Sequence, residues 1–178
     1  HVNLGQSTND VYPTAVRLAI HRQSLDLLAA LEKMQEALHA KGKDFREVLK
    51  MGRTQLQDAV PMTLGQEFEA YAITTGEDIE RLRESARFFL EVNMGATAIG
   101  TGICADPGFS REVVAELRQI SGLDVSLAAN LIEATPDTGA FVLFSGVLKR
   151  TAVKISKMCN DLRLLSSGPR CGLHEINL

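Results

Sequence analysis

Apolar side chains recur every three or four residues over most of the N-terminal quarter of the chain. This spacing predicts one amphipathic helix over residues 11–41, roughly 30 residues or about 45 Å long. Polar residues before position 11 can cap it, and Pro13 is tolerated in a first turn. Gly42 is expected to end it, because glycine readily takes the left-handed conformation of a helix C-terminus. The apolar positions that set the pattern are Ala15, Leu18, Ala19, Leu25, Leu28, Leu31, Met34 and Leu38.

A second helix is predicted over residues 64–92, where the apolar spacings alternate between three and four. Thr63 and Gln66 have the spacing of a capping box at its start. The alternation is close to a heptad seam, so it predicts near-parallel packing against another long helix. The seam positions are Leu64, Phe68, Tyr71, Thr75, Ile79, Leu82, Ala86 and Phe89.

A third long helix is predicted to begin with Thr135 as its cap and Pro136 at its first position, and to continue to about Ser166. The dipeptide Gly168-Pro169 follows, and the remaining tail is expected to be a loop. Three helices of roughly 30 residues are well beyond the mean of about 11–12 in globular proteins. Because such helices bury their wide apolar stripes poorly alone, we expect an all-α long-helix bundle that self-associates.

The segments between these helices are expected to be mostly irregular. Residues 43–62 form a polar connection, with a short extended piece at Val48-Leu49, and residues 93–102 form a glycine-rich turn. That turn fits neither the phosphate-loop pattern nor GxGxxG after a strand, which argues against a nucleotide site. The other predictions are a short helix over 111–120, capped by Ser110 and closed by Gly122, and an irregular stretch over 123–134.

Composition and charge narrow the class of protein. The 178 residues are 45% hydrophobic, enough for one domain over residues 1–178 with a sizeable core. The net charge of -3 gives no general attraction to nucleic acid or to an anionic membrane, so neither is an expected partner. The three cysteines match no zinc pattern, and without a signal peptide or membrane span they favour reduced thiols in the cytoplasm. Because the chain starts at His1 without a methionine, we expect a fragment of a longer protein.

Two polar stretches stand at predicted helix entrances, QSTND at residues 6–10 and GRTQLQDAVP at residues 52–61. Their hydroxyls and amides can donate hydrogen bonds to the carboxylate oxygens of a small anion without adding a competing titratable group. On pattern alone the same residues also suit helix capping or a solvent-facing loop. The candidate binding residues are Ser7, Thr8, Asn9, Thr54 and Gln55.

Two further stretches, GATAIGTG at residues 95–102 and NDLRLLSSGPR at residues 160–170, join these two along the chain. The set resembles the fumarase/aspartase superfamily, and within it the aspartase (aspartate ammonia-lyase) branch most. Each motif alone is modest evidence, whereas four in the right order are specific. The resemblance implies the central helical domain of a mostly helical subunit, whose long helices assemble into a homotetramer with active sites built from several subunits.

The resemblance also implies the chemistry, which is reversible anti elimination of ammonia from L-aspartate to give fumarate. Ser7, Thr8 and Asn9 would hydrogen-bond a substrate carboxylate and the leaving-group region, and Thr54 and Gln55 would serve a neighbouring subunit's site. No cofactor is required, no metal ligand is expected within the chain, and a divalent cation can act as an activator. The family's base is a serine on a mobile loop that is absent from this sequence and expected after Leu178, so no catalytic base is predicted within residues 1–178.

Two other functions stay open. Class II fumarate hydratase is the first, but fumarases usually carry histidine where Gln55 stands and serine where Thr8 stands. Because glutamine does not titrate near neutral pH, it could not share a histidine's proton-relay role, and both residues favour the aspartase branch. Argininosuccinate and adenylosuccinate lyases typically carry that histidine too. The second open function is a non-catalytic helical assembly module, which would have no use for polar donors at Ser7 or Thr54.

Overall fold

The computed structural model describes all 178 residues and is dominated by helices. The mostly helical, long-helix fold predicted from the sequence is confirmed, and two small two-stranded sheets are added to it. None of the helices is long and apolar enough to cross a membrane. In chain order the helices are α1 (Thr8–Asp44), α2 (Leu64–Ala86), α3 (Phe109–Ser121), α4 (Leu131–Ala134) and α5 (Gly139–Leu165). The strands are β1 (Leu49–Thr54), β2 (Gln57–Thr63), β3 (Glu91–Val92) and β4 (Ser126–Leu127).

The chain divides into two compact units. Unit 1 comprises His1–Leu27 and Leu82–Ser145, and unit 2 comprises Leu28–Arg81 and Gly146–Leu178. Each unit contains one of the two polar stretches, so each can be described as a separate half of the candidate site.

Helix α1 is longer than predicted at both ends. It spans Thr8–Asp44, so Pro13 lies in its second turn and Gly42 lies inside it. The expectation that Gly42 ends the helix is wrong, because this glycine serves a close approach to α2 instead. A Cβ on Gly42 would lie 3.1 Å from Glu69 Oε2, and one on Gly65 would lie only 2.5 Å from the Gly42 carbonyl oxygen. The missing side chains therefore let the two backbones approach.

Helix α2 begins as predicted. Thr63 Oγ1 accepts a hydrogen bond from the Gln66 N–H at 3.2 Å, and Gln66 Oε1 accepts one from the Thr63 N–H at 3.0 Å, which completes the capping box. Every seam position is buried except Phe68, which is half-buried. The helix ends at Ala86 rather than at residue 92, because the chain tightens into a 3₁₀ turn and then extends into β3, which pairs in parallel with β4.

In unit 2, polar side chains of α2 pair with side chains of α5. Asp78 is buried and pairs with Arg150, and Tyr71 Oη lies 3.1 Å from Asp161 Oδ2. A step toward the N-terminus of α2 is thus a step toward the C-terminus of α5, so the two helices are antiparallel. Helix α5 ends at Leu165, one residue before the predicted end.

In unit 1, short elements enclose an apolar core. Its centre is the buried set Val92, Met94, Val114 and Val125, and Phe89 packs against two rings of α5 at centroid distances of 5.2 Å. Gly122 ends α3 in the left-handed conformation, as predicted. The predicted cap Ser110 is wrong, because α3 begins at Phe109, two residues before the predicted start, and its N-cap position is Gly108.

The start of α5 and the stretch before it also differ from expectation. Thr135 does not cap α5; it ends α4, and its Oγ1 donates to the Leu131 carbonyl oxygen at 2.7 Å. Asn130 caps α4, with Oδ1 accepting from the Ile132 N–H at 3.0 Å. The stretch 123–134 is therefore not wholly irregular, and α5 begins only at Gly139.

Candidate active site

The entrance of α1 in unit 1 carries the first three predicted site residues. Ser7 is the residue before the helix, and its Oγ accepts from the Asn9 N–H at 3.2 Å while Asp10 Oδ1 accepts from the Ser7 N–H at 2.8 Å. This reciprocal pair is a capping box, so Ser7 does cap the helix. A hydroxyl that accepts one hydrogen bond still has its own proton to donate. Capping therefore fixes the position of the Ser7 hydroxyl without using its donor.

Asn9 is exposed, and its carboxamide is held from one side only. Its Nδ2 donates to the Ala98 carbonyl oxygen at 2.7 Å, in the glycine-rich turn. Because a carbonyl can only accept, this bond fixes which end of the amide is the nitrogen. The hydrogen bonds of the structure leave Asn9 Oδ1 without a donor. Asn9 thus presents an acceptor, which suits a ligand N–H or ammonium group rather than a carboxylate.

Asp10 was missed by the sequence reasoning and is fully buried. Its Oδ1 accepts from the Val11 N–H at 2.7 Å as well as from Ser7, and its Oδ2 accepts from the Thr97 N–H at 2.8 Å. Carboxylate bonds to N–H groups are among the stronger ones in proteins. Asp10 therefore fastens the entrance of α1 to the glycine-rich turn. The serine-to-acid spacing of a capping box at residues 7 and 10 could have revealed it.

A cavity of about 350 Å³ opens beside this helix entrance. Ser7 and Thr8 lie on its wall together with the exposed ring of Tyr12. The partial positive charge at the N-terminus of α1 favours a bound anion at the same place, whereas the N–H groups of Asn9, Asp10 and Val11 are already bound within the cap. The other lining residues are Asn3, Gln6, Val11 and Ala15.

In unit 2 the stretch 52–61 is a β-hairpin, so the prediction of an irregular loop is wrong. β1 and β2 pair antiparallel with Thr54 opposite Gln57, which leaves a two-residue turn. Gln55 and Leu56 have φ angles of 53° and 61°, the left-handed pair that a type I′ turn requires. Residues other than glycine rarely adopt this conformation, and such strain concentrates at functional sites. The hairpin therefore holds Thr54 and Gln55 exposed at its tip.

A bulge and an ion pair brace the hairpin. The register shifts between Met51 and Arg53, where a Cβ on the buried Gly52 would lie 2.8 Å from the Val60 carbonyl oxygen. The Arg53 guanidinium binds the carboxylate of Glu175 in the C-terminal tail. That hydrogen bond holds the pKa of Glu175 below its usual range and raises the pKa of Arg53. The tip is thus fastened to a second segment of the same unit.

Charged groups surround a cavity of about 320 Å³ beneath the hairpin. Lys50 Nζ lies 2.5 Å from Glu67 Oε2, and Lys157 pairs with Asp161. Tyr71 Oη lies 3.1 Å from both carboxylates, and its pKa is raised, mainly by burial and further by these two charges. Gln55 lies on the wall of this cavity, whereas Thr54 does not.

The predicted site residues therefore form two groups: Ser7, Thr8 and Asn9 in unit 1, and Thr54 and Gln55 in unit 2. Sequence reasoning missed Asp10, Arg53 as an anchor, and Glu175 as its partner. The bond between Arg53 and Glu175 joins positions 122 apart, so no local pattern announces it. No group of three or more histidine, cysteine or acidic side chains has a geometry that could hold a metal ion.

Comparison with known proteins covers the whole chain. A family model described as Lyase matches residues 1–178. The aspartate ammonia-lyase of Pseudomonas aeruginosa is 65% identical over 178 residues, which is 99% of this chain and 38% of that protein. A fumarate lyase:delta crystallin structure from Brucella melitensis, bound to cobalt, superimposes with a TM-score of 0.95 at 59% identity, covering 97% of this chain and 38% of that one. A class II fumarase from Schistosoma mansoni gives a TM-score of 0.92 at 34% identity, with 97% and 39% covered. The chain thus spans less than two fifths of the length of these relatives.

Proposed function

The chain belongs to the fumarase/aspartase superfamily, and we propose that the protein is an aspartate ammonia-lyase, a carbon–nitrogen lyase that converts L-aspartate reversibly into fumarate and ammonia. The observation that carries the proposal is the 65% identity to the P. aeruginosa aspartate ammonia-lyase over 99% of the chain. The 34% identity to a class II fumarase is far lower. The geometry of the two polar groups supports the same reaction.

The elimination breaks the C–H bond next to one carboxylate and the C–N bond on the neighbouring carbon. A base takes the proton, the carboxylate becomes an aci-carboxylate dianion, and the electron pair then forms the double bond as ammonia leaves. Donors that lie where the extra negative charge develops stabilise the transition state more than the ground state. The Ser7 hydroxyl, held by its capping box, and the neighbouring Thr8 hydroxyl are such donors on the wall of one cavity.

Asn9 is suited to bind the amino group, which leaves when the C–N bond breaks. Its Nδ2 is committed to the Ala98 carbonyl oxygen, so its Oδ1 is the atom left for a ligand. An acceptor at that place matches the ammonium group of aspartate, which fumarate lacks. A substrate hydroxyl could donate to the same oxygen, so the choice of an amino acid over a hydroxy acid rests on the sequence identity to an aspartate ammonia-lyase.

Thr54 and Gln55 supply a hydroxyl and an amide at the rigid tip of the hairpin, where a neighbouring subunit's site could use them. The five binding residues are proposed to hold the substrate through hydrogen bonds, so the base is a separate group in this proposal. We assign it to a serine expected after Leu178. Activation by a divalent cation without a required cofactor, and the cytoplasmic location, remain predictions.

Exposed apolar side chains support the homotetramer that completes such a site. On α5, Val153 and Leu164 are 60% and 38% exposed, and on α2 Ile73 is 55% exposed. Val153 and Leu164 are eleven residues apart, close to three full turns, so they lie on one face of the helix. A stripe of this kind on long helices is typical of a surface that another subunit covers.

Fumarate hydratase is the second candidate, favoured only by the structural similarity to the Schistosoma enzyme. The test is aspartate deamination by the protein expressed from its complete gene, followed through the ultraviolet absorbance of fumarate. Gln55→Ala and Thr54→Ala should each lower kcat/KM by 10-fold or more, about 1.4 kcal/mol of transition-state stabilisation. Gln119→Ala, an exposed glutamine on α3, is the matched control and should not change it. Full turnover by both hairpin variants as assembled enzymes would remove Thr54 and Gln55 from the site.

A further inference from the structure

We propose that Asn93 is a positioning residue that holds Asn9 in place for the elimination, an inference that rests on the proposed function. Asn93 is 2% exposed and follows β3 at the start of the glycine-rich turn. Its Nδ2 donates to the backbone carbonyl oxygen of Asn9 at 3.0 Å. This bond reaches across 84 positions to a helix that would normally satisfy its own carbonyl groups.

Pro13 is the reason that the Asn9 carbonyl is open to an outside donor. In an α-helix the carbonyl of residue 9 accepts from the N–H of residue 13, and proline has no N–H. Pro13 lies inside α1. Asn93 thus supplies from outside the helix the hydrogen bond that Pro13 removes, and it does so at the residue proposed to bind the substrate amine.

The surrounding bonds fix the orientation of the Asn93 amide. Thr135 Oγ1 uses its proton on the Leu131 carbonyl oxygen, so toward Asn93 Nδ2, at 3.2 Å, it can only accept. Both neighbours of Nδ2 are therefore acceptors. Asn93 Oδ1 is buried without a partner, which is unfavourable. The hydrogen bond to the Asn9 carbonyl offsets the cost of leaving Asn93 Oδ1 unsatisfied.

The same turn also holds Asn9 through its side chain and its neighbour. Ala98 accepts from Asn9 Nδ2 at 2.7 Å, and the Thr97 N–H donates to Asp10 at 2.8 Å. The bond from Asn93 to the Asn9 carbonyl oxygen is a third attachment, and it holds the backbone of Asn9. Loss of the Asn93 donor would free the backbone of Asn9 and move its Oδ1, and a shift of about 1 Å in a reacting constellation can cost on the order of 10²-fold in rate.

The test measures both Michaelis constants in the amination direction, with ammonium and fumarate, on the enzyme expressed from its complete gene. Because Asn9 faces the amine, Asn93→Ala should raise KM for ammonium by about 10-fold or more while KM for fumarate changes little. Asn93→Asp keeps the shape but sets a carboxylate against the Asn9 carbonyl, so it should be at least as impaired. Equal rises in both constants, or none in either, would overturn the positioning role.

Pro13→Ala provides the rescue. It restores an N–H at residue 13, so in the Asn93→Ala background it should bring KM for ammonium back toward the wild-type value. No recovery in a folded double variant would contradict the role assigned to the Asn9 carbonyl. Gln119→Ala, at the exposed glutamine on α3, is the matched control: it touches no bond of Asn9 or Asn93 and should leave the ratio of the two constants unchanged.

Stability separates failure of this inference from failure of the proposed function. If the wild-type enzyme consumes no fumarate, the proposed function is wrong. The bond itself is then judged by thermal unfolding of four proteins: the wild type, Pro13→Ala, Asn93→Ala and the double variant. Pro13→Ala should raise the unfolding midpoint of the Asn93→Ala variant more than that of the wild type, because only the variant lacks a donor for the Asn9 carbonyl. Equal shifts would show that no such coupling exists.

Discussion

The ion pair between Arg53 and Glu175 gives the sharpest prediction about the hairpin. The side chains are 17% and 23% exposed, so the pair is largely shielded from water. Glu175→Gln would leave the guanidinium with Asp58 as its nearest carboxylate, at 3.6 Å and 75% exposed. Arg53 Nη1 is already buried without a hydrogen-bond partner. The substitution therefore leaves a mostly buried cation with one weak, solvent-screened partner.

The magnitude follows from burial. A hydrogen bond between charged groups contributes about 1.5–3 kcal/mol, whereas a fully exposed ion pair contributes about 0–1 kcal/mol. With most of each side chain buried, we expect Glu175→Gln to reduce the free energy of hairpin opening by about 2 kcal/mol. At about 1.4 kcal/mol per factor of ten, this is close to a 30-fold rise in the open population.

Native-state hydrogen exchange measures that population amide by amide. At pH 7 the paired amides of β1 and β2 should exchange about 30-fold faster in the Glu175→Gln variant, and amides of the Val92 core should not change. The pKa of Glu175 is lowered by Arg53, so its contribution is present above pH 4.5 and is lost as the pH falls through the folded-state pKa. Wild type and variant should thus converge in acid.

Glu47→Gln is the matched control, since Glu47 pairs with Arg46 and both side chains are at least 80% exposed. It should not change exchange in the hairpin. Equal exchange rates for Glu175→Gln and wild type at pH 7 would refute the bracing role of the pair. A uniform acceleration in both units would show that the effect is not local to the hairpin.

Three further predictions follow from single side chains. Asp10→Asn replaces one of two accepting oxygens with an amide nitrogen, which cannot accept from the N–H groups of Ser7, Val11 or Thr97. It should lower the free energy of unfolding by about 2–4 kcal/mol in urea titrations. Leu56→Gly places in the left-handed conformation a residue that adopts it without steric strain. The free energy of hairpin opening should rise by about 0.5–1 kcal/mol, and hydrogen exchange in the hairpin should slow. Tyr71 has a raised pKa, so its contribution is lost as the pH rises above 10, and Tyr71→Phe should flatten the loss of stability in that range, read from unfolding midpoints.

Periodicity was sufficient for the long helices because their pattern repeats over many turns. The capping box of Thr63 and Gln66 located the start of α2, and its seam was buried as predicted. Helix ends were less predictable, since they depend on tertiary contacts. Gly42 resembles a helix terminator in sequence, but the close approach of α2 gives it another use. Thr135 resembles a cap, but it belongs to the end of α4.

The hairpin could not be predicted from local rules. A type I′ turn normally carries glycine or asparagine, and here Gln55 and Leu56 occupy it. The candidate site was found by its residue types, because exposed hydroxyls and amides before helices are visible in the sequence. Most of its supports were not, because Asn93 and Glu175 act through partners 84 and 122 positions away. The capping-box spacing points to Asp10, but it does not predict the bond of Asp10 to Thr97, 87 positions away. Sequence patterns thus identified the groups that face a ligand more readily than those that hold them.

The most direct test of the proposed function is the loss of fumarate absorbance, with and without ammonium, using the protein expressed from its complete gene. An aspartate ammonia-lyase consumes fumarate only when ammonium is present and forms aspartate in equal amount. Equal loss of fumarate in its absence would identify a hydratase and leave Gln55 and Thr8 to be explained anew. No loss under either condition, from a folded assembly, would favour a non-catalytic helical module and contradict the proposed activity.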